Sequence, residues 1–207
     1  DGIQLRATNA YLPRITENVT ITNFTVETVG RMQAAFTNFM YLTVNGFTTS
    51  PLTVSGQGAG ITNRSAFDIE MVSRADDDAP LNENGYADIY NWEVAANFFA
   101  LANAGGGYVH DIHFHHGHVR QVGGHIMTTI GRDDNAAAKR AKFEVDHITR
   151  TEHGVTEYWM SFQYVRDWLR IHDMDCDEPT ATNKTGIALK ECEGVEVDDN
   201  LFTPGFD

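Results

Sequence analysis

The sequence predicts an all-β fold, built as a solenoid of about eight stacked coils. Short segments of the form apolar-x-apolar recur along the chain, and their first residues lie 20 to 31 positions apart by subtraction. Alternation at a period of two is typical of strands that bury one face. A unit of this size cannot bury its apolar face alone, so we expect successive units to stack and share one continuous core.

The eight copies share this alternation and are separated by glycine-containing stretches without helical periodicity. They are VTITNF from Val19, LTVNGF from Leu42, FDIEMV from Phe67, ADIYNW from Ala87, IHFHHG from Ile112, FEVDHI from Phe143, LRIHDM from Leu169 and VEVDDN from Val195. We therefore expect residues 1–17 to be a lead-in and residues 18–207 to form the solenoid, open or continued at its C-terminal end. An uncovered end would expose unpaired strand edges.

The last copy, GIALKECEGVEVDDNLF, resembles the repeat of right-handed parallel β-helix proteins of the pectate-lyase-like superfamily. In that repeat a G-I-x-L strand leads to a V-x-V-x-x-N-x-F strand. The resemblance extends over Asn18 to Phe202 and implies a right-handed parallel β-helix, but it does not specify a function. A β-sandwich is the alternative, and it would require frequent hairpin signals, of which only Asn45-Gly46 and Asn84-Gly85 occur.

Composition restricts the location and the partners of the protein. The net charge of -14 comes from 29 acidic against 15 basic residues, which disfavours nucleic acid and anionic membranes as partners. No apolar run is long enough to span a membrane. Glycosylation acceptor tripeptides favour an extracellular, cell-surface or virion-surface location, and they begin at Asn18, Asn23, Asn63 and Asn183. Cys176 and Cys192 are compatible with one disulfide or with two unpaired thiols.

Stacking the copies in register predicts three columns of side chains, about 4.8 Å apart from strand to strand. The first column contains Thr20, Thr43, Asp68, Asp88, His113, Glu144, Arg170 and Glu196. The second contains Thr22, Asn45, Glu70, Tyr90, His115, Asp146, His172 and Asp198. The third, where each strand turns, contains Asn23, Gly46, Met71, Asn91, His116, His147, Asp173 and Asp199. Ionisable groups are concentrated in the last four coils.

Three interpretations of these columns are open. Glu144, Arg170 and Glu196 alternate in charge, which predicts a structural salt-bridge ladder. As an enzyme, the chain would use Glu144 and Glu196, or Asp146 and Asp198, each pair two strands apart, as acid and base on a polysaccharide. Arg170 would contact the substrate or act as the base of a β-elimination. The resemblance implies, by residue type only, that Asp146 and Asp198 hold calcium. A transition-metal site that includes His115 or His172 is a further, less favoured interpretation.

The segment HDIHFHHGHV from His110 is not a five-histidine cluster in this scheme. Alternation directs Ile112 and Phe114 to the core, while His113 and His115 face outward. We expect His113, His115 and His172 to contact a substrate, and Tyr158 or Trp159 to stack on a sugar ring. At least one of Tyr158, Trp159 and Trp168 should be exposed beside the charged columns.

The sequence thus favours an extracellular β-helix that recognises a polysaccharide or surface glycan, and it leaves open whether the protein cleaves it as a lyase or glycoside hydrolase. The alternative is a non-enzymatic structural or adhesive module of a viral spike, fibre or cell-surface appendage. In that case a second copy or a further chain would cover the open end of the solenoid.

Overall fold

A computed structural model describes residues 3–6, 16–26, 32–37, 39–49, 65–70, 83–96, 99–104, 108–122, 127–130, 139–150, 158–176 and 185–202. All its regular elements are strands, arranged in two sheets. The prediction of an all-β protein is confirmed. No described segment is a helix of the length and apolarity needed to cross a membrane.

The smaller sheet has seven strands, and their order in the sheet follows their order in the chain. They are β1 (Ile3–Arg6), β3 (Met32–Thr37), β5 (Ser65–Glu70), β7 (Phe99–Ala104), β9 (Met127–Ile130), β11 (Tyr158–Gln163) and β14 (Thr185–Lys190).

The larger sheet has nine strands and carries the charged columns. Its main path consists of β2 (Thr16–Val26), β4 (Phe39–Thr49), β6 (Glu83–Ala96), β8 (Tyr108–Val122), β10 (Lys139–Arg150), β12 (Val165–His172) and β15 (Val195–Asp198). Two short strands complete it, β13 (Asp175–Cys176) and β16 (Leu201–Phe202), where β13 pairs with both β10 and β16.

Every pairing between described strands is parallel. From β1 to β12 the chain alternates between the two sheets, so each strand pairs with the next strand but one. Parallel neighbours require a connection that returns the chain to the same end of the sheet. Here each such connection contains a strand of the other sheet.

The core lies between the sheets and combines aliphatic side chains with a cluster of aromatic rings. Phe67 of β5 contacts rings from the larger sheet, at centroid distances of 4.4 Å to Phe47, 6.2 Å to Trp92 and 6.2 Å to Phe114. All four side chains are buried. Aromatic rings bury large apolar areas and favour tilted or edge-on contacts, so they join the sheets strongly.

Residues in the left-handed conformation form two bends in or directly beside each strand on the main path of the larger sheet. The residues at the second bend have φ between 47° and 78°, and they are Asn23, Gly46, Asn91, His116, His147, Asp173 and Asp199. The turn positions predicted from the sequence are confirmed at these residues. The first bend is formed by Asn18, Tyr41, Tyr86, Asp111, Lys142, Asp167 and Gly194. The bends enclose a short segment whose alternate side chains face the core and the solvent.

One predicted repeat was placed in the wrong sheet. FDIEMV from Phe67 forms β5 of the smaller sheet, where Asp68 pairs with Ala35 and Ala102. Thr43 therefore pairs directly with Asp88, and Asn45 pairs directly with Tyr90. Asp68 and Glu70 do not belong to the charged columns, and Met71 lies outside the described residues. A period of two identifies a half-buried strand but not the sheet that contains it.

Candidate functional site

The remaining members of the two outward-facing columns are in the predicted register. The pairing of β2, β4, β6, β8, β10, β12 and β15 aligns Thr20, Thr43, Asp88, His113, Glu144, Arg170 and Glu196. It also aligns Thr22, Asn45, Tyr90, His115, Asp146, His172 and Asp198. The larger sheet thus presents two parallel rows of polar side chains, which become densely ionisable from β6 onward.

Histidine–carboxylate hydrogen bonds in these rows run diagonally from one column to the other. His113 Nε2 lies 2.5 Å from Asp146 Oδ2, and His115 Nε2 lies 2.8 Å from Asp88 Oδ1. One strand further on, His172 Nε2 lies 3.0 Å from Glu144 Oε1. The three columns align residues along the stack of strands, so the sequence does not predict these diagonal contacts. Diagonal neighbours on parallel strands lie within reach of long and aromatic side chains.

Asp146 is the centre of a histidine cluster, which consists of His113, His115, His116, His147 and His172. It is only 5% exposed, and its second oxygen, Oδ1, lies 2.5 Å from His147 Nδ1. Burial by itself raises the pKa of a carboxyl group, but hydrogen bonds from His113 and His147 and the charges of His113 and His172 hold the pKa of Asp146 below its usual value. Asp146 is therefore ionised at neutral pH, and its two oxygens accept hydrogen bonds from two different imidazole rings.

The imidazole rings are stacked as well as hydrogen-bonded. His113 and His115 are 4.1 Å apart between ring centroids and nearly parallel, and Tyr90 stacks on His115 at 5.0 Å. At the bend, His116 stacks on His147 at 4.6 Å, which confirms the predicted adjacency of these two residues. His115 Nδ1 and His116 Nδ1 are 2.7 Å apart. The rings are thus held in fixed orientations before any ligand arrives.

His172 lies at the other end of the cluster. Burial lowers the pKa of an imidazole, but hydrogen bonds to Asp173 and Glu144 outweigh this effect and raise the pKa of His172, with Asp146 adding to the increase and Arg170 opposing it. His172 Nδ1 lies 2.7 Å from Asp173 Oδ2. Both ring nitrogens of His172 therefore have carboxylate partners.

Arg170 joins the carboxylates of three neighbouring positions. Its guanidinium lies 3.5 Å from Glu144 Oε1, 3.4 Å from Glu196 Oε2 and 3.8 Å from Asp198 Oδ2. The salt-bridge ladder predicted for Glu144, Arg170 and Glu196 is confirmed. Since these side chains are partly exposed, each ion pair contributes at most about 1 kcal/mol to the free energy of unfolding. Stability alone therefore does not explain why so many charged residues lie together here.

A shallow depression lies beside this ladder. It is lined by Glu144, Trp168, Arg170, Gly194 and Glu196. Trp168 is 37% exposed, which confirms the expectation that one of the three aromatic residues lies exposed beside the charged columns. The depression combines an exposed indole with two carboxylates and a guanidinium. These are groups that can contact the apolar face and the hydroxyl groups of a sugar.

The other predicted binding residues lie in different places. His113, His115 and His172 all belong to the histidine cluster and already have carboxylate partners. Tyr158 and Trp159 are in β11 of the smaller sheet, and their side chains lie outside the described residues. The structure therefore brings the histidines and the acidic groups together, without assigning a position to these two aromatic side chains.

Three overlapping sets of residues within the described ranges have the spacing of metal ligands, with one donor atom of each residue within 4.8 Å of the others. They are Asp88, His113 and His115; His115, His116 and Asp146; and His113, Glu144 and Asp146. Asp146, one of the two predicted calcium ligands, belongs to two sets, whereas Asp198 belongs to none of these three. The sets combine imidazole nitrogens with carboxylate oxygens.

Cys192 carries a free thiol, and its Sγ lies 3.5 Å from the carbonyl oxygen of Phe162. Of the two interpretations of the cysteines, the unpaired one holds for this residue.

A scan of protein-family models and searches of curated proteins and of solved structures found no match for this chain.

Proposed function

We propose that the protein is an extracellular right-handed parallel β-helix that recognises a carbohydrate at the depression around Trp168. The alternation of parallel strands between two sheets supports the β-helix, since each turn of such a helix adds one strand to each sheet. The observation that carries the recognition is the exposed indole of Trp168 beside Glu144, Arg170 and Glu196.

The chemistry of these groups suits a sugar. An indole face packs against the apolar face of a pyranose ring, while carboxylates and a guanidinium bind its hydroxyl or carboxylate groups. Arg170 contacts both acids, and its side chain is 40% exposed. A substrate carboxylate can therefore reach the guanidinium and replace one of these two contacts. Two of the three charged groups that line the depression are carboxylates, so a neutral polysaccharide is the favoured ligand, and an acidic one would bind through Arg170 alone.

Cleavage is the second part of the proposal. Glu144 and Glu196 belong to strands separated only by β12, so their backbones are about 10 Å apart by doubling the strand spacing. The carboxyl groups of the acid and base of an inverting glycosidase lie about 6.5–9.5 Å apart, a separation that two glutamate side chains can reach from such backbone positions. Arg170, between them, is the candidate base if the reaction is a β-elimination.

The test is a binding and turnover screen of purified protein against neutral and acidic polysaccharides, with and without calcium. Trp168→Ala is expected to weaken binding about fivefold or more, which corresponds to the loss of roughly 1 kcal/mol of aromatic contact. Tyr41→Ala is the matched control, because Tyr41 is an exposed aromatic residue that stacks on Tyr86 elsewhere on the same sheet. Equal affinities of the wild type and Trp168→Ala for every ligand would overturn the proposal.

Catalysis is tested separately with Glu144→Gln and Glu196→Gln. If cleavage occurs, both variants should lose turnover while retaining most of the binding. Binding without turnover in the wild type would leave recognition intact and remove the catalytic part.

A second candidate function is a non-enzymatic structural or adhesive module. Four large apolar side chains on the last described strands are well exposed, namely Leu189, Val195, Val197 and Leu201. Two of them, Val195 and Val197, pair with Leu169 and Ile171 on the preceding strand of the sheet. Leu169 and Ile171 are fully buried. In this candidate a further polypeptide covers the four side chains. A large oligomer without glycan affinity would favour it, and a glycan-binding monomer would exclude it.

A further inference from the structure

We propose that His115, His116 and Asp146 form a site for a transition-metal ion of the zinc type, separate from the depression at Trp168. One donor atom of each residue lies within 4.8 Å of the other two. Two imidazoles and one carboxylate, with water in the fourth position, are a common ligand set for Zn²⁺. Calcium is less suitable, because it prefers six to eight oxygen ligands.

The hydrogen bond between Asp88 and His115 prepares the first ligand. An ionised carboxylate can only accept, so Nε2–H of His115 donates to Asp88 across 2.8 Å. In the neutral ring the lone pair is then on Nδ1, which faces His116. A carboxylate bound to the far nitrogen of a ligating histidine is the usual outer partner of a metal site.

The second ligand already points at the first. The two Nδ1 atoms of His115 and His116 are 2.7 Å apart, so one proton must lie between them. Since His115 Nδ1 carries the lone pair, His116 supplies that proton. Around a tetrahedral zinc ion, donor atoms bonded at 2.0–2.1 Å lie about 3.3 Å apart. The two rings therefore need to separate by about 0.6 Å, and the Asp146 oxygen, within 4.8 Å of a donor atom of each histidine, has to move closer. The proton of His116 then moves to its Nε2 or to solvent.

The third ligand is buried and charged, whereas the second is open to solvent. Asp146 is held by His113 and His147, and each of its oxygens has a further lone pair for a metal. His115 is covered by Tyr90 and His113, which stack on it. His116 is exposed at the left-handed bend and provides the path by which an ion enters. The site is thus closed on the protein side and open at one position.

The test is titration of the purified, chelator-treated protein with Zn²⁺, followed by isothermal calorimetry, and with Co²⁺, followed by its visible absorption. We expect one ion per chain and a cobalt spectrum typical of tetrahedral nitrogen and oxygen ligands. His116→Asn should weaken binding at least tenfold, and it keeps the bend because Asn23 and Asn91 occupy the same turn position. Asp88→Asn should weaken it by about 10- to 100-fold, as loss of an outer partner does.

Two further variants test the ligand assignment. His118→Asn is the matched control, because His118 is on the same strand but hydrogen-bonds to Thr149 and belongs to none of the three ligand sets. It should bind like the wild type. If His113→Gln abolishes binding while His116→Asn does not, the proposed ligand set is wrong. An affinity for Zn²⁺ no better than millimolar in the wild type would overturn the site altogether.

Discussion

His113 Nε2 lies 2.5 Å from Asp146 Oδ2, on the neighbouring strand and one column away. The same carboxylate also accepts a hydrogen bond from Nδ1–H of His147. A buried carboxylate is stable as an ion only when such donors compensate for its lost hydration. The imidazoles around Asp146 therefore stabilise the fold as well as shaping the site.

Asp146→Asn should destabilise the protein, since the amide cannot accept from both rings as the carboxylate does. Hydrogen bonds to a charged group contribute about 1.5–3 kcal/mol, and we expect a loss of that order in the free energy of unfolding. Asp198→Asn is the control, because Asp198 is partly exposed and its Oδ2 is 3.8 Å from Arg170. Urea unfolding followed by circular dichroism measures both, and equal losses would contradict this account of Asp146.

The raised pKa of His172 makes stability depend on pH near neutrality. A group whose pKa is higher in the folded state contributes stability below its unfolded pKa, here 6.5, and loses it as the pH rises through the folded value. We expect the free energy of unfolding to fall as the pH is raised above 6.5. His172→Gln should flatten this part of the curve, and an unchanged slope in the variant would refute the assignment.

Asp146 has the opposite dependence at acid pH. Its pKa is lowered from 3.8 in the folded state, so its contribution is present above that value and is lost as the pH falls through the folded pKa. Acid unfolding of Asp146→Asn should therefore be less steep than that of the wild type. Circular dichroism of both proteins over a series of acid pH values measures the difference, and equally steep transitions would contradict it.

Replacing Gly117 by a larger residue should destabilise the protein as long as Trp92 is present. A Cβ added at Gly117 would lie 2.0 Å from Cζ2 of Trp92, which is paired with it on the adjacent strand. Overpacking of this kind costs about 1–3 kcal/mol. Trp92→Leu creates space, so the double variant with Gly117→Ala should be less destabilised than the sum of the single variants. Simple additivity in denaturant unfolding would show that the two positions do not compete for space.

The left-handed bends predict which residues are tolerated at the turn column. Asn91 has a φ of 53°, a conformation that costs most residues about 1–2 kcal/mol and glycine or asparagine much less. Asn91→Gly should therefore keep most of the stability, losing mainly the hydrogen bond from Asn91 Nδ2 to Asn45. Asn91→Val should lose clearly more, because a β-branched side chain crowds the backbone in this region. Thermal unfolding of the two variants decides the matter.

The sequence by itself determined the strand class, the turns and, for seven of the eight copies, the register. Alternation at a period of two placed Ile112 and Phe114 inward and His113 and His115 outward, because the pleat of a strand leaves no other arrangement. Regular repetition then aligned Glu144 with Arg170 and Arg170 with Glu196, since in-register parallel strands place equivalent residues side by side.

Only the tertiary structure decided which strands are neighbours and which side chains meet. Alternation is the same in both sheets, so the sequence could not show that Asp68 belongs to β5 and that Thr43 pairs with Asp88. The diagonal contacts depend on side-chain length and ring orientation, which a column of letters does not contain. For that reason His115 and His113 of HDIHFHHGHV acquire their hydrogen-bond partners from Asp88 on one neighbouring strand and Asp146 on the other.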